Sequence, residues 1–234
     1  KDSWASGNFG DHVISMKLLL SSGKLINVCR ENNRSMFEAV VGGMGLLGII
    51  VEATLQLKKV PSPYVEVSSI KVGNIRESLS LFDEKEKDSD FAVMWADAFS
   101  TGNKLGRGCV KTAKWSKKNL KISSDELESS LKAPSKIFGI LPPKPVYYLG
   151  RPLFKPWTIR YANKLIYFFQ KNSQKTNIST DQRLTFIEYN FLFGNKLPFI
   201  RQLFMPYGMI EFQPFIPRSA GVEAVEGLFK LFHK

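Results

Sequence analysis

The chain has 234 residues, 44% of them hydrophobic, and 33 Lys or Arg against 21 Asp or Glu give a formal charge of +12. A chain of this size can bury a substantial core, in one large domain or two small ones. No run of about 18 apolar residues is present, which argues against a transmembrane helix. Two cysteines and two histidines also argue against a disulfide framework or a metal site.

The chain starts abruptly at Lys1, and no signal peptide is visible. We therefore expect a fragment of a longer protein. We also expect a cytoplasmic location, with peripheral attachment at the inner membrane face.

Residues 1–60 predict a hairpin, a short helix, a glycine-rich turn and a strand, in that order. Two apolar runs around Ser22 and Gly23 indicate the hairpin. Asn33 or Ser35 could cap the helix SMFEAVV. The run IIVEATLQLKKV then alternates in the manner of a strand.

Pro61 and Pro63 mark the expected boundary between two domains. Hairpins outnumber strand-helix-strand crossovers beyond it, so the predicted class is α+β, with a mostly antiparallel sheet and flanking helices. The predicted order is YVEVSSIKV (strand), NIRESLSLFDEKEKDS (helix), FAVMWADAF and GRGCVKTAKW (paired strands), a basic irregular insertion at about 116–156, WTIRYANKLIYFFQKN (helix), LTFIEYNFLF and MIEFQPFIP (strands) and GVEAVEGLFKLFHK (helix).

The glycine-rich turn reads VGGMGLLGIIVEAT and contains the spelling G-x-G-x-x-G. In a Rossmann fold this fingerprint follows a strand and opens a helix. Here a helix precedes it and a strand follows, so the Rossmann interpretation fails. Two interpretations remain: a helix C-cap in which Gly42 or Gly43 is left-handed, or a turn in which Gly45 and Gly48 let the backbone approach a flat cofactor.

The segments GNFGDHVISMKLLLSSGKL and MFEAVVGGMGLLGIIVEATLQL resemble the second half of the FAD-binding domain in the vanillyl-alcohol oxidase and p-cresol methylhydroxylase (PCMH) flavoprotein family. Further on, FAVMWADAFSTGNKLGRG and GMIEFQPFIP are similar to segments of its decaprenylphosphoryl-β-D-ribose oxidase branch. Residues 111–188 carry little resemblance.

The resemblance implies a non-covalent FAD cofactor and oxidation of a secondary sugar hydroxyl. The implied substrate is a lipid-linked sugar, a pentose on a polyprenyl phosphate, and an epimerising NAD(P)-dependent reductase is an implied partner. Aldonolactone oxidases share the first segment and are the alternative. Residues 1–60 would be the distal part of a PCMH-type FAD-binding domain, and residues 61–234 an incomplete substrate domain. The family's catalytic Lys would lie outside the chain, which alone is expected to be inactive.

The resemblance also implies individual site residues. Ile50 matches a residue whose backbone meets FAD, within the turn that holds Gly45 and Gly48. Glu211 is a departure, because the branch usually has an amide at that position. The positions implied to contact substrate are Lys1, Trp95, Tyr189, Glu211 and Gln213.

Other polar residues allow two interpretations each. Asp97 shares the strand face of Trp95, and it could bond a sugar hydroxyl or support the following strand through Arg107. Trp95 could itself be a core residue. Cys29 and Cys109 lie in apolar contexts and are expected to be inert thiols.

Between Ser129 and Thr180, nine Lys or Arg alternate with nine aromatic residues, and no acidic residue is present. This pattern could contact single-stranded nucleic acid, an anionic membrane surface or solvent alone. No nucleic-acid motif accompanies the charge, so we expect the membrane surface and no nucleic acid. A non-catalytic basic module that binds lipid or nucleic acid is the alternative to an enzyme.

Overall fold

The structure is a computed structural model that describes residues 6–117, 121–132, 136, 140–170, 183–190, 204–205, 208, 212–231 and 233. These residues fall into two compact units, the first ending at Val60 and the second beginning at Pro61. The identity of the units as parts of an FAD-binding domain and a substrate domain stays a prediction.

The first unit is a three-stranded antiparallel sheet with one helix packed against it. Its elements are β1 (Val13–Leu19), β2 (Leu25–Cys29), α1 (Arg34–Val40) and β3 (Ile49–Leu55), and the strand order is β2-β1-β3. The predicted hairpin is confirmed, with Gly23 at φ 79° in its turn. The core consists of Val13, Met16, Leu18, Val28 and Phe37. The amphipathic spacing of α1 therefore serves to bury one aromatic ring against two strands.

The two ends of α1 differ in how well the sequence predicts them. Gly42 follows the helix at φ 79°, which confirms the left-handed C-cap. The predicted side-chain N-cap is wrong for Asn33. This residue precedes the helix at φ 56° without a capping hydrogen bond, and its amide instead donates to the Asn27 carbonyl at 3.0 Å.

The second unit is built on a four-stranded antiparallel sheet in the order β5-β6-β4-β7. The helix α2 packs against three of its strands. At the start of α2, the Asn74 side chain accepts a hydrogen bond from the Glu77 N–H and so caps the helix. The elements are β4 (Tyr64–Val72), α2 (Ile75–Lys85), β5 (Phe91–Ala96), β6 (Gly108–Trp115), α3 (Ser124–Leu131), α4 (Pro143–Gly150), α5 (Pro156–Phe169), β7 (Arg183–Thr185), α6 (Phe186–Asn190) and α7 (Gly221–Leu231).

Helices and antiparallel sheets together make the α+β class that the sequence predicts. Three local predictions are wrong. The described residues of the segment 116–156 are not irregular throughout, because they include α3 and α4. In LTFIEYNFLF, the described residues Leu184 and Thr185 belong to the three-residue β7 and residues 186–190 form α6, while residues 191–193 lie outside the described residues. In MIEFQPFIP, residues 212–217 form no strand, and residues 209–211 lie outside the described residues.

In the described ranges, no helix is both long enough and apolar enough to cross a membrane.

Candidate functional site

The glycine-rich turn between α1 and β3 depends on backbone conformations that favour glycine. Gly42, Gly45 and Gly48 have φ of 79°, 77° and 153°. A Cβ on Gly48 would lie 2.8 Å from the carbonyl oxygen of Leu19, whereas a Cβ on Gly45 would meet no atom within 4 Å. Gly48 is therefore required by the close approach of β1, and Gly45 faces open space.

The strand after this turn is exposed along its whole length. In the described part of the sheet, β3 is an edge strand that pairs with β1 only. Ile50 lies opposite Leu18, yet Leu18 is fully buried and the Ile50 side chain is 49% exposed. Met44, Leu46 and Ile49 are also exposed. The turn and β3 therefore present an apolar surface, and the glycines of the turn add no side chains to it. Such a surface is accessible to a flat, partly apolar ligand.

In the second unit, Trp95 lies in a row of three side chains across the sheet. Antiparallel pairing places Lys71 of β4 opposite Cys109 of β6, and Cys109 opposite Trp95 of β5. Directly paired residues share a face of the sheet. Lys111, two positions from Cys109 on the same strand, therefore lies on this face as well. We call Lys71, Trp95, Cys109 and Lys111 the tryptophan face.

Cys109 at the centre of this face is fully buried. Burial raises the pKa of its thiol, and the charge of Lys111, a hydrogen bond with Ser69 and the charge of Lys71 oppose that effect. The expected inert thiol is thus supported at Cys109, whereas Cys29 is only partly buried.

Asp97 follows β5 and organises the loop that leads to β6. Its carboxylate is 2% exposed and accepts hydrogen bonds from Arg107 through both Nε, at 3.1 Å, and Nη2, at 3.0 Å. Its other oxygen accepts from the Phe99 N–H and from Asn163 Nδ2, each at 3.1 Å. Of the two interpretations of Asp97, the structure supports the role through Arg107.

The helix α5 contacts this ion pair through Asn163 and Tyr167. The ring of Tyr167 lies 4.7 Å from the Arg107 guanidinium carbon and 4.3 Å from Lys71 Nζ, distances at which a cation is attracted to an aromatic face. Asn163 lies one turn earlier on the same helix. Lys71, Asn163 and Tyr167 were missed by sequence reasoning. Lys71 could have been found because it lies an even number of residues from buried Val65 in β4 and therefore on the same face of the sheet. No local sequence signal links Asn163 to Asp97.

The remaining predicted substrate residues are not brought together with Trp95. Tyr189 is 2% exposed and packs in a core cluster with Val65, Phe91 and Ala113. Phe91 lies four residues from Trp95 on β5, or about 13 Å along the strand. The structure thus shows a packing role for Tyr189, and its substrate contact stays a prediction. Gln213 is exposed outside regular secondary structure, and Lys1 and Glu211 lie outside the described residues.

A groove of about 550 Å³ lies between the start of α2, the 102–104 turn and α7, and its lining includes Arg76, Glu226 and Lys230. It holds none of the predicted site residues. Arg76 is already paired with Glu226 at 2.8 Å and Glu223 at 3.3 Å. Across the described ranges, no group of three or more His, Cys, Asp or Glu is placed to hold a metal ion.

Comparison with known proteins gives partial similarities. The chain is similar to the decaprenylphosphoryl-β-D-ribose oxidase of Mycolicibacterium smegmatis, with 33% identity over 112 residues that make up 47% of this chain and 24% of that protein. It is also similar to an uncharacterized protein in the mprA 5′ region of Streptomyces coelicolor, with 28% identity over 105 residues, 45% of this chain and 28% of that protein. The matches thus span about a quarter of the length of these relatives.

Among solved structures, the xylooligosaccharide oxidase of Myceliophthora thermophila C1, in complex with xylobiose, gives a TM-score of 0.34 at 16% identity. The aligned part covers 51% of this chain and 24% of that one. No protein-family model matches the chain. The similarity to the Mycolicibacterium oxidase supports the resemblance to the decaprenylphosphoryl-β-D-ribose oxidase branch of the vanillyl-alcohol oxidase and p-cresol methylhydroxylase family.

Proposed function

We propose that this chain is part of an FAD-dependent oxidoreductase that oxidises a secondary hydroxyl of a sugar, with a pentose on a polyprenyl phosphate as the substrate. The observation that carries the proposal is the tryptophan face. It combines one aromatic ring with two ammonium groups on adjacent strands. The similarity to decaprenylphosphoryl-β-D-ribose oxidase is independent support.

The chemistry of the tryptophan face suits a sugar that carries a phosphate. Sugar rings have apolar C–H faces that pack on an indole, as Trp95 would allow. A phosphate would be attracted by Lys71 and Lys111, whose charges act together beside Cys109. A free sugar or a lactone carries no such anion, so the lysines favour the phosphorylated substrate over an aldonolactone.

The glycine-rich turn and β3 would contribute the cofactor contact. Gly45, with no atom near its Cβ direction, and Ile50, with its half-exposed side chain, would lie against FAD. When bound, FAD supplies the hydride acceptor for alcohol oxidation. The chain's own residues would bind and orient the sugar, and we assign none of the described residues as the catalytic base.

The supporting role of Asp97 is to fix the position of Trp95. Its carboxylate ties the loop after β5 to β6 through Arg107 and to α5 through Asn163. Because these contacts anchor the end of β5, the Trp95 ring loses little conformational entropy when substrate binds.

The test uses the whole protein that contains this chain, purified with FAD. Bleaching of the flavin absorbance under anaerobic conditions is measured with a polyprenylphosphoryl pentose, the free pentose and an aldonolactone. The proposal predicts rapid bleaching with the first substrate and slow or no bleaching with the others. Equal bleaching with the lactone would favour an aldonolactone oxidase, and a protein without flavin would favour a non-catalytic module.

Lysine variants assign the phosphate contact. Lys71→Gln and Lys111→Gln are each expected to raise KM for the phosphorylated substrate about tenfold, which corresponds to the loss of one charge-assisted contact. Lys114→Gln is the matched control, because Lys114 is exposed on the same strand but three positions from Lys111 and therefore on the opposite face. An equal effect of all three substitutions would contradict the assignment.

A further inference from the structure

The helix α5 carries two different faces. Its sheet-facing side includes Asn163, which donates to Asp97, and Tyr167, whose ring meets Lys71 and Arg107. At 100° per residue, the positions of Trp157, Tyr161, Leu165 and Phe168 form a separate stripe about 80° wide. We call these four residues the α5 stripe.

The α5 stripe is exposed although all its members are apolar or aromatic. The exposed fractions of the four side chains lie between 57% and 73%. The contacts of Asn163 and Tyr167 fix the rotation of the helix, so the stripe is held away from the sheet. A contiguous apolar surface of this kind on a charged protein marks an interaction site more often than an isolated exposed residue does.

The charges around the stripe have one sign. Arg160 and Lys164 lie on its flank, and Lys164 Nζ is 5.3 Å from the Tyr161 ring. The sequence contains no Asp or Glu from Ser129 to Thr180. A surface that is complementary to the α5 stripe must therefore place anionic groups next to an apolar layer.

We propose that the α5 stripe docks in the interface of an anionic lipid bilayer, with its four side chains directed toward the boundary between the headgroups and the acyl chains. Trp and Tyr are enriched at this level of a membrane, where one end of the ring is in an apolar layer and the other is hydrated. Arg160 and Lys164 would meet lipid phosphates. The helix would lie in the membrane plane, and its length of about 21 Å provides one extended contact.

A protein partner explains these observations less well. Protein interfaces are depleted in Lys, and a second copy of this helix would bring Arg160 and Lys164 close to cations of the same sign. The proposal does not depend on the proposed oxidation, because lipid binding needs neither substrate nor flavin. It nevertheless has a consequence for that function, because the opposite side of α5 supports the tryptophan face.

The test measures co-sedimentation of the whole protein that contains this chain with phosphatidylcholine vesicles, with and without phosphatidylglycerol. We expect binding that requires phosphatidylglycerol and weakens as salt is raised. Phe168→Ser and Lys164→Glu should each lower the vesicle affinity roughly tenfold or more. Phe215→Ser and Lys24→Glu are the matched controls, since both residues are exposed outside the stripe, and these variants should bind like the parent chain.

A second measurement locates the contact. The chain has four tryptophans, and brominated lipids quench only those within the bilayer. Trp157→Phe should keep vesicle binding and lose most of the quenching. Quenching that persists in Trp157→Phe, or binding that is indifferent to phosphatidylglycerol, would overturn the proposal. So would concentration-dependent dimerisation that Phe168→Ser abolishes, because the stripe would then be a protein interface.

Discussion

Both Nε and Nη2 of Arg107 donate to the same oxygen of Asp97, at 3.1 and 3.0 Å, in an ion pair whose two side chains are only 15% and 2% exposed. Removal of one partner from a buried pair leaves the other charge without compensation. We expect Asp97→Ala to lower the free energy of unfolding of the second unit by about 3–5 kcal/mol. Urea unfolding followed by tryptophan fluorescence measures this change, since Trp95 and Trp115 both lie in that unit.

Arg34→Ala is the control for this prediction. Arg34 pairs with Glu38 one helical turn away, at 2.8 Å and with both side chains largely exposed. Solvent and salt screen such a pair, so its loss should change the free energy of unfolding far less than the loss of the Asp97 carboxylate does. A cost below about 1 kcal/mol for Asp97→Ala would show that the buried pair is dispensable.

The two glycines of the turn before β3 are predicted to respond differently to alanine. Gly45→Ala should cost about 1–2 kcal/mol, because only the left-handed backbone opposes a Cβ there. Gly48→Ala should cost more, since it adds a clash with the Leu19 carbonyl at 2.8 Å to a backbone that only glycine adopts readily. Thermal unfolding and hydrogen exchange of the β1 amides measure the difference, and equal effects would contradict it.

The Cys109 thiol is predicted to be unreactive in the native state. Burial raises its pKa, so less of the nucleophilic thiolate is present at neutral pH. In a Cys29→Ser variant, a disulfide reagent should modify Cys109 only after denaturant is added. Rapid modification of the native variant near neutral pH would contradict the structure.

The raised pKa of Cys109 also has a defined effect on stability. The folded state holds the thiol proton more tightly than the unfolded state. This contribution to the free energy of unfolding is present below the pKa of the unfolded thiol, about 8.5. It is lost as the pH rises through the higher pKa of the folded state. The unfolding midpoint of Cys109→Ser relative to the parent, measured across this alkaline range, tests the direction.

Tyr167 is predicted to stabilise the second unit through its ring rather than through its hydroxyl. The Lys71 and Arg107 cations lie over that ring, and one such contact contributes about 0.5–2 kcal/mol when partly desolvated. Tyr167→Phe should therefore keep the stability of the second unit, whereas Tyr167→Leu should lower it by roughly that amount. Equal losses in the two variants would assign the effect to the hydroxyl instead.

Local signals predicted much of this fold. The Ser22-Gly23 hairpin, the glycine that ends α1 and the pairing of β5 with β6 all follow from short-range turn chemistry and periodicity. The segment after β7 was predicted wrongly because alternating apolar residues fit either a strand or a short amphipathic helix. Burial of Phe186 and Tyr189 against Phe91 accompanies the helix there. Such packing is a tertiary effect that a local pattern does not contain.

The candidate site was predictable only in part. Trp95 and the pairing of Asp97 with Arg107 followed from strand geometry and from the resemblance. Asn163 contacts Asp97 across 66 residues of sequence, and it lies in a segment where the resemblance fades. Lys71 and Lys111 reach the side of Trp95 only through the register of three strands, which the sequence does not specify without knowledge of which strand is central.

The two-faced arrangement of α5 has an evolutionary consequence. Positions 163 and 167 are bound to Asp97, Arg107 and Lys71, so substitutions there should be accompanied by compensating changes in the sheet. The α5 stripe is held away from the sheet. Its positions should therefore vary independently of the sheet and retain only their bulk and their apolar or aromatic character. An alignment of orthologues from organisms with different envelope lipids would then show two separate patterns of covariation within a single helix.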